Sequence, residues 1–266
     1  MDDKERLISE SWRNWFMGDA YKSEKRLRKL FGLLPSSPRC KFCNSPFEGV
    51  GAPVVKLAFG KERSTLNPNF CNICDVRARQ SHGGAEVEMS ILFADVRGST
   101  ALSQTMSAAE FSKLINRFYV EATRVLIETD GLVDKLAGDS VAAFWGTGFA
   151  GPDYVRRSIE AARNLLKVTG HANPDGPWLP VGVGLHCGVA YFGAMGTADG
   201  LTDVTAIGEE VNTGARLAAQ AGAGEIIISE KALAAAGIDG DGLEARSLTL
   251  KGISQPVAAR VMKITT

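Results

Sequence analysis

Two pairs of cysteines have the spacing of metal ligands. Cys40 and Cys43 form one C-x-x-C pair, Cys71 and Cys74 form a second, and 27 residues separate the pairs. Two such pairs at this distance are a signature of metal binding. Four thiolates in tetrahedral coordination suit Zn²⁺, and an iron–sulfur cluster uses the same ligands. We expect Zn²⁺, because four-cysteine zinc sites are usual in small loop-rich modules, and an iron–sulfur cluster is the alternative.

Two aspartates could support phosphate chemistry. Asp95 follows a hydrophobic segment, and Asp139 lies in a tight turn between two hydrophobic segments. Either carboxylate alone could be structural, accepting backbone N–H groups of its turn. Together, on neighbouring strand ends, they could hold two hard divalent ions that clamp a phosphate during an in-line displacement. Gly98, Ser99 and Thr100 would place free N–H groups at a helix N-terminus, where phosphate binds well.

These residues lie in segments that resemble the motifs of class III nucleotidyl cyclases. Four segments occur in the order of the family: Phe93-Ala94-Asp95-Val96-Arg97-Gly98-Ser99-Thr100, Lys135-Leu136-Ala137-Gly138-Asp139, residues 205–216, and Leu250-Lys251-Gly252. One such motif is a weak signal, whereas four in this order and spacing are a strong one. The resemblance covers residues 86–264 and implies a ferredoxin-like cyclase domain, an α+β sandwich of the α/β class.

The resemblance implies a role for each matching residue. Asp95 and Asp139, with the carbonyl oxygen of Val96, would bind two Mg²⁺ or Mn²⁺ ions per active site. Lys135 would read the purine edge with Thr205 as its partner, a combination that goes with adenine in this family. The remaining roles are phosphate binding by Gly98, Ser99 and Thr100, ribose orientation by Asn212, charge stabilisation at the α-phosphate by Arg216, and contact with the terminal phosphates by Lys251.

The implied reaction converts ATP to 3′,5′-cyclic AMP and pyrophosphate. In this family the metal pair and the Asn/Arg pair of one site come from different chains. This sequence carries both sets, so we expect a homodimer with two equivalent sites and an inactive monomer. A guanylyl cyclase is one alternative, which Lys135 opposes. A non-catalytic nucleotide-binding regulatory module is another, which the complete set of motif residues opposes.

Other polar residues have ordinary structural interpretations. Asn212 and Arg216 lie four apart on a predicted helix, so they share a face and could pair with Glu209 or nearby groups. His186 and Cys187 lie in an apolar segment, and we predict that they are core or turn residues rather than ligands.

The elements that position these residues divide the chain into three parts. Residues 1–34 are predicted to be a helical segment with Trp12, Trp15 and Phe16 on one face. Residues 35–81, which we call the four-cysteine module, are rich in Pro, Gly, Asn and Cys and are predicted to form loops and short strands rather than helix. Residues 82–266 alternate predicted strands and helices and form one catalytic domain. We expect the four-cysteine module to resemble a zinc ribbon and to regulate or stabilise the dimer.

Several local features are predicted within these parts. Asn44 and Asp75 follow the two cysteine pairs, where a turn residue tolerant of positive φ is favoured. Residues 81–85 are predicted to be a hinge, and Cys187-Gly188 a turn between two strands. Helices are predicted over residues 108–129, 154–168, 209–220 and 230–236.

Composition limits the class of protein. The 266 residues are 45% hydrophobic and 23% charged, which is typical of a globular chain and excludes wholesale disorder. No apolar segment approaches the ~18 residues of a membrane span. The charged first residues, MDDKERLISESW, lack the apolar centre of a signal peptide. We therefore expect a cytoplasmic protein, in which disulfides are the less expected use of cysteine.

The net charge is zero, but it is unevenly distributed. Residues 1–81 carry 15 Lys and Arg against 9 Asp and Glu, whereas residues 82–266 carry 15 against 21. The acidic part is poorly suited to nucleic-acid binding, and the basic part lacks a stripe of cations interleaved with aromatic residues. The excess of Lys and Arg in residues 1–81 fits compensation of the thiolate charge of a four-cysteine metal site.

Overall fold

The structure is a computed structural model that describes residues 2–18, 22–34, 38–197 and 201–264. The chain forms two compact units. The first unit comprises Met1–Val87, Thr147–Phe149 and Tyr191–Ile207, and the second comprises Glu88–Gly146, Ala150–Ala190 and Gly208–Thr266. The first unit contains both cysteine pairs, and the second contains both candidate metal-binding aspartates. The division into three parts at residues 34/35 and 81/82 stays a prediction.

Four helices lie in the described N-terminal part of the first unit. They are α1 (Asp3–Phe16), α2 (Lys22–Gly32), α3 (Gly51–Phe59) and α4 (Asn72–Gln80). Helix α1 begins at a capping box, in which the Glu5 N–H donates to Asp2 Oδ1 at 2.7 Å and the Asp2 N–H donates to Glu5 Oε2 at 2.9 Å. These bonds satisfy two donors that a helix start leaves free. The face predicted to be apolar is buried, with Trp12, Trp15 and Phe16 in it.

The prediction that the four-cysteine module lacks helix is wrong, because α3 and α4 lie within it. Cys71 is the N-cap of helix α4, and its Sγ accepts the Cys74 N–H at 3.4 Å, so the second C-x-x-C pair spans the first turn of a helix. Pro53 lies in the first turn of α3, where a missing N–H costs no helical hydrogen bond. The turn-forming residues thus concentrate between the helices. Their high average content over residues 35–81 therefore does not exclude helix from the module.

The strands form a mixed sheet. Their order is β2-β3-β1-β4-β6-β8-β7, with β5 paired to β4, and β6 is parallel to β4 and antiparallel to β8. The strand bounds are β1 Gly83–Val96, β2 Leu132–Ala137, β3 Ser140–Trp145, β4 Val181–Gly196, β5 Thr202–Ile207, β6 Glu225–Ser229, β7 Glu244–Leu248 and β8 Val257–Lys263. This mixed α/β architecture agrees with the predicted fold class.

The helices between these strands follow their sequence signals closely. They are α5 Ser99–Thr105, α6 Ala108–Glu128, α7 Thr147–Ala150, α8 Tyr154–Val168, α9 Glu209–Gln220 and α10 Glu230–Ala236. Helices α8, α9 and α10 have the predicted bounds, and α6 begins where predicted and ends one residue earlier. Helix α6 starts at a capping box formed by Ser107 and Glu110. No helix in the described residues is both long and apolar enough to cross a bilayer.

Two predicted breaks in the sheet are absent from the described residues. Strand β1 begins at Gly83, so the expected hinge over residues 81–85 is wrong. Strand β4 runs without interruption through Cys187 and Gly188, so the expected turn there is also wrong. The glycines have a packing role instead. A Cβ on Gly84 would lie 2.4 Å from the Phe192 carbonyl oxygen, and one on Gly188 would lie 2.5 Å from Glu210 Cδ.

Candidate active site and metal centre

The two candidate metal-binding aspartates lie side by side at the ends of paired strands. Asp95 is the penultimate residue of β1, and Asp139 occupies the turn between β2 and β3. Strands β1 and β3 are antiparallel with Asp95 opposite Ser140, and the Val96 N–H donates to the Asp139 carbonyl oxygen at 3.1 Å. Gly138 has a φ of 63°, the left-handed conformation that this turn requires. The register of β1 on β3 therefore brings the two acidic residues together.

The donor set at this turn fits hard divalent cations. Asp95 and Asp139 supply carboxylates, Val96 supplies a main-chain carbonyl, and oxygen ligands are those that Mg²⁺ and Mn²⁺ prefer. Asp95 and Asp139 are both half-buried, and the neighbouring Gly138 is exposed. An ion held here could therefore still contact a nucleotide arriving from solvent.

Arg97 is a residue of this site that sequence reasoning missed. Its guanidinium forms an ion pair with the Asp95 carboxylate, and its Nε donates to the Asp95 carbonyl oxygen at 3.2 Å. Burial lowers the pKa of Arg97, and the negative charge of Asp139 opposes that shift. Arg97 therefore interacts electrostatically with both aspartates. A basic residue two positions after Asp95, in the same strand-to-helix turn, was the available signal.

Arg97 also connects the aspartates to helix α9. Its Nη1 lies 3.3 Å from the Ala219 carbonyl oxygen and 3.4 Å from the Ala221 carbonyl oxygen, at the C-terminal end of that helix. Carbonyl groups at a helix C-terminus lack intrahelical donors and carry partial negative charge, so a guanidinium is a favourable partner.

Tyr119 supports the turn that contains Asp139. Its hydroxyl donates from α6 to the Gly138 carbonyl oxygen at 2.8 Å. Burial and the negative charge of Asp139 both raise the pKa of Tyr119, so the hydroxyl keeps the proton that it donates. Tyr119 lies 20 residues before Asp139 in the sequence, and nothing in the motif indicated it.

The predicted phosphate-binding segment lies at the start of a short helix. Gly98 precedes α5 with a φ of 68°, and its carbonyl oxygen accepts the Leu102 N–H at 2.9 Å. A Cβ on Gly98 would meet no atom within 4 Å, so the backbone conformation rather than lack of space favours glycine. Gly98 and Thr100 are exposed, and Ser99 is half-buried.

Asn212 and Arg216 lie one turn apart on the solvent-facing side of α9. The opposite face of the helix is buried and includes Gly214 and Leu217. Strand β4 comes close to this face, since a Cβ on Gly184 would lie 2.1 Å from the Ala218 nitrogen. The helix is therefore packed firmly in the second unit while both candidate catalytic side chains lie towards solvent.

Glu210 anchors the first turn of α9. Its carboxylate lies 2.5 Å from His186 Nε2 and 2.5 Å from Lys231 Nζ, and His186 Nδ1 lies 2.8 Å from Ser229 Oγ. His186 is 4% exposed and Cys187 is 1% exposed, as expected for core residues. Glu210, one of the two acidic residues in the first turn of α9, therefore connects this helix to β4 and α10.

Lys251 lies in the exposed turn between β7 and β8. The residue before it, Leu250, is 3% exposed and belongs to a hydrophobic cluster with Leu217 of α9. Gly252 has a φ of 80°, which favours glycine after the lysine. Packing thus attaches the predicted phosphate-binding turn to the helix that contains Arg216.

The two residues predicted to read the base lie in different units. Lys135 is an exposed residue of β2 in the second unit, at a bulge where the register with β3 shifts between Val133 and Lys135. Thr205 lies on β5 in the first unit, is 7% exposed and faces Gly193 of β4 across the strand pair.

The four cysteines of the two pairs converge. Their sulfur atoms all lie within 4.8 Å of one another, with Cys43 Sγ and Cys71 Sγ at 3.8 Å. Cys40 Sγ also accepts the Cys71 N–H at 3.3 Å. Four sulfurs held about 2.3 Å from one ion in a tetrahedron lie at about this mutual distance. The donor set and its spacing therefore fit a single thiolate-bound metal ion.

The turns after the two cysteine pairs differ. Asn44 has a φ of 59°, as predicted for a residue in a left-handed turn. The same prediction for Asp75 is wrong, because Asp75 lies inside α4. Its carboxylate accepts from Ser64 Oγ at 2.8 Å and pairs with Arg79 at 3.3 Å. The helical start at the second cysteine pair removes the need for a left-handed residue there.

Lys61 supplies positive charge beside the sulfurs. Its Nζ lies 3.8 Å from Cys71 Sγ. Burial favours the neutral form, but the negative charge of the cysteines outweighs it and raises the pKa of Lys61. Hydrogen bonds from the neighbouring thiols, with Cys40 the largest contributor, lower the pKa of Cys71. A cavity of about 70 Å³ adjoins Cys43 and Cys74 and gives access to this edge of the site.

The family model described as the adenylate and guanylate cyclase catalytic domain matches residues 84–249. The chain belongs to this family. The cyclase match includes every candidate active-site residue except Lys251, which lies just beyond it. The four-cysteine module and helices α1 and α2 precede the match.

Individual relatives match the chain over part of its length, and one of them is named an adenylate cyclase. An uncharacterised protein of Mycobacterium tuberculosis is 29% identical over 185 residues, which cover 68% of this chain and 34% of that protein. An adenylate cyclase of Anabaena cylindrica is 27% identical over 184 residues, which cover 61% of this chain and 35% of that protein. The chain therefore spans about a third of the length of the curated relatives it matches.

Solved cyclase structures share the fold. The guanylyl cyclase Cya2 aligns with a TM-score of 0.60 and 26% identity, covering 67% of this chain and 93% of that chain. The adenylyl cyclase CyaB from P. aeruginosa aligns with a TM-score of 0.55 and 26% identity, covering 68% of this chain and 96% of that chain. The two structures have different named substrates at equal identity, so overall similarity does not select the base.

Proposed function

We propose that this chain is an adenylyl cyclase, which converts ATP to 3′,5′-cyclic AMP and pyrophosphate. The observation that carries the proposal is the placement of Asp95 and Asp139 side by side at the ends of paired strands, within a cyclase domain. Asp95, Asp139 and the Val96 carbonyl would hold two Mg²⁺ or Mn²⁺ ions. Such ions lower the pKa of an attacking hydroxyl and neutralise a departing phosphate group.

The protein residues bind and orient the nucleotide for an intramolecular displacement. The 3′-hydroxyl oxygen forms a bond to the α-phosphorus as its proton is lost, and the bond from that phosphorus to the bridging oxygen breaks to release pyrophosphate. Asn212 orients the ribose, and Arg216 stabilises the charge that develops on the α-phosphate. Lys251 and the segment of Gly98, Ser99 and Thr100 hold the phosphates. The protein thus contributes positioning and charge stabilisation.

The choice of ATP rests on Lys135 and Thr205. A lysine ammonium can donate to the N1 acceptor at the adenine edge, where guanine presents an N–H donor instead. The exposed position of Lys135 on β2 leaves its ammonium accessible. GTP is the alternative substrate, and competition between ATP and GTP distinguishes the two.

We propose a homodimer with two equivalent sites. Asn212 and Arg216 lie on the solvent-facing side of α9, where they are available to a second copy of the chain. A twofold axis would let each chain supply aspartates to one site and the Asn/Arg pair to the other.

We propose that the four-cysteine module holds Zn²⁺ and regulates or stabilises the dimer. The mutual approach of all four sulfurs within 4.8 Å favours one metal ion over a multi-iron cluster, whose ligands bind to different irons. A site of four thiolates requires reduced cysteines, so we place the protein in the cytoplasm. Elemental analysis and an absorption spectrum distinguish a colourless zinc protein from a coloured iron protein.

The function is tested with purified protein and MgATP or MnATP, with cyclic AMP and pyrophosphate as the measured products. Equal amounts of both products are expected. Asp95→Asn should abolish turnover, and the exposed Asp175→Asn serves as the matched control. Lack of product with either metal and either nucleotide would remove the proposal. Unchanged turnover in Asp95→Asn would show that the protein is a cyclase but that Asp95 is not a metal ligand, and the metal site would then lie elsewhere.

A further inference from the structure

The first cysteine pair is attached to strand β5 by a salt bridge. Lys41 lies between Cys40 and Cys43, and its Nζ is 2.9 Å from Asp203 Oδ1. The Lys41 side chain is only 9% exposed, so the pair is partly shielded from solvent. Asp203 is two residues before Thr205 on β5, and residues i and i+2 of a strand point to the same face. The salt bridge therefore acts on the face of β5 that contains Thr205.

A second contact reaches β5 from the loop between the cysteine pairs. The buried Asn67 donates through Nδ2 to the Thr202 carbonyl oxygen at 2.8 Å, and its Oδ1 accepts the Asn69 N–H at 3.0 Å. The Lys41 N–H donates to the Asn69 carbonyl oxygen at 2.9 Å. The loop and the first cysteine pair thus contact β5 as one hydrogen-bonded unit.

Aromatic packing holds β4, the strand that pairs with β5. Phe42, also inside the first cysteine pair, stacks on Trp15 with ring centroids 4.1 Å apart. Trp15 and Trp12 in turn pack on Phe192 of β4, with centroids 6.2 Å and 5.6 Å away. Phe192 pairs with Ala206 of β5. Metal ligation by Cys40 and Cys43 would fix Lys41 and Phe42, which lie between them. Lys41 forms the salt bridge to Asp203, and Phe42 stacks on Trp15.

We infer that Lys41 and Asn67 are positioning residues for base recognition, because they hold the strand from which Thr205 reaches the purine. The inference rests on the proposed function for the role of Thr205. Neither residue touches the nucleotide, and both act through β5. Their loss should weaken binding of the preferred nucleotide and reduce discrimination between bases, and it should leave the chemical step almost unchanged.

The test uses two substitutions with matched controls. Asn67→Asp keeps the acceptor for Asn69 and removes the donor to Thr202, and the exposed Asn69→Asp makes the same change of charge nearby. Lys41→Met removes the salt bridge, and Lys56→Met removes the exposed ion pair with Glu62 inside the same module. Binding of 3′-deoxy-ATP and 3′-deoxy-GTP, which cannot cyclise, is measured by calorimetry beside kcat, KM and metal content.

We expect Asn67→Asp and Lys41→Met to weaken binding of the preferred 3′-deoxynucleotide and to raise its KM by about three- to tenfold, the effect of one lost hydrogen bond. The preference between the two bases should fall, kcat should change by less than about twofold, and metal content should be unchanged. Lys41→Arg should restore binding, since it keeps the charge. The controls should behave as wild type.

Two further results decide against the inference. If the variants keep the fold and the metal but bind both 3′-deoxynucleotides with wild-type affinity, the positioning role is wrong. The role is also wrong if Lys41→Met remains as damaging in an Asp203→Asn background as it is alone, because the salt bridge then carries no coupling. Failure of the proposed function appears separately, as a wild-type protein that yields no cyclic nucleotide.

Discussion

The Arg97 guanidinium forms an ion pair with the Asp95 carboxylate, the group that we assign to divalent-metal binding. The same guanidinium is near the charge of Asp139 and reaches the carbonyl groups at the end of α9. In the absence of metal, the positive charge of Arg97 therefore compensates the negative charge of Asp95 and Asp139. The same negative charge would attract the divalent cations.

Arg97→Met should tighten metal binding, because the cation no longer competes with a positive charge for Asp95. We expect the Mn²⁺ concentration for half-maximal activity to fall by about three- to tenfold, which corresponds to about 0.7–1.4 kcal/mol, the order of one ion pair in a partly solvated site. The measurement is cyclase rate against Mn²⁺, with the exposed Arg163→Met as control. An unchanged or higher half-saturating concentration would show that Arg97 does not compete with the metal.

The buried His186 predicts a dependence of stability on pH. Burial lowers the pKa of His186 below its ordinary 6.5, although Glu210 opposes that shift. As the pH falls through 6.5, the unfolded chain takes up a proton that the folded chain does not, so the free energy of unfolding decreases. The pKa of Glu210 is also lowered, so ionised Glu210 still stabilises the folded chain in this pH range. That contribution to the free energy of unfolding is lost only as the pH falls below the ordinary pKa of 4.5.

His186→Gln should flatten this dependence, because glutamine can bond to Glu210 and Ser229 but does not titrate. The measurement is urea unfolding between about pH 7 and about pH 5.5, the range in which an ordinary histidine takes up its proton. Some slope should remain, since burial also lowers the pKa of His171, and His171→Gln should reduce it further. A variant with the wild-type slope would show that His186 does not carry the effect.

Cys43→Ser should release the metal of the four-cysteine module. Cys43 is the one half-exposed cysteine among the four candidate ligands, and it adjoins the cavity. We expect one metal ion per chain in the wild type and a substoichiometric amount in the variant. The thermal midpoint should fall by about 4–8 °C, for a loss of about 2 kcal/mol in a chain of this size. Cys187→Ala removes a thiol outside the cluster and should retain the metal, whereas equal metal in both variants would exclude the four-cysteine site.

Local signals in the sequence were sufficient for much of the cyclase domain. Helices α8, α9 and α10 have the predicted bounds because apolar spacing and end residues such as Ser229 act within a few positions. The adjacency of the two aspartates followed from their places at a strand end and a turn. The approach of the four cysteines followed from their spacing, since each C-x-x-C pair is a local unit.

Interactions distant in sequence explain what was missed. Glycine is typical of hinges and turns, which is why Gly84 and Gly188 predicted such breaks. In the structure, strand β4 leaves no room for a Cβ at Gly84, and the Glu210 side chain leaves no room for one at Gly188. Cys71 caps a helix because its thiol replaces the usual hydroxyl or carboxylate acceptor. The salt bridge of Lys41 with Asp203 joins residues 162 positions apart, and no periodicity or motif encodes such a pair.

Complementation between two inactive chains tests the account most directly. Asp95→Asn removes a proposed metal ligand, and Arg216→Ala removes the charge stabilisation that we propose at the α-phosphate, at a cost of about 10²- to 10³-fold in rate. When the two variants are co-expressed, half of the dimers contain one of each, and each such dimer has one complete site. The account therefore predicts roughly a quarter of the wild-type cyclic AMP production in the mixture. Co-expression of Asp95→Asn with Asp139→Asn, which damages both sites of every dimer, should restore nothing. Equal inactivity of the two mixtures would contradict a site shared between chains.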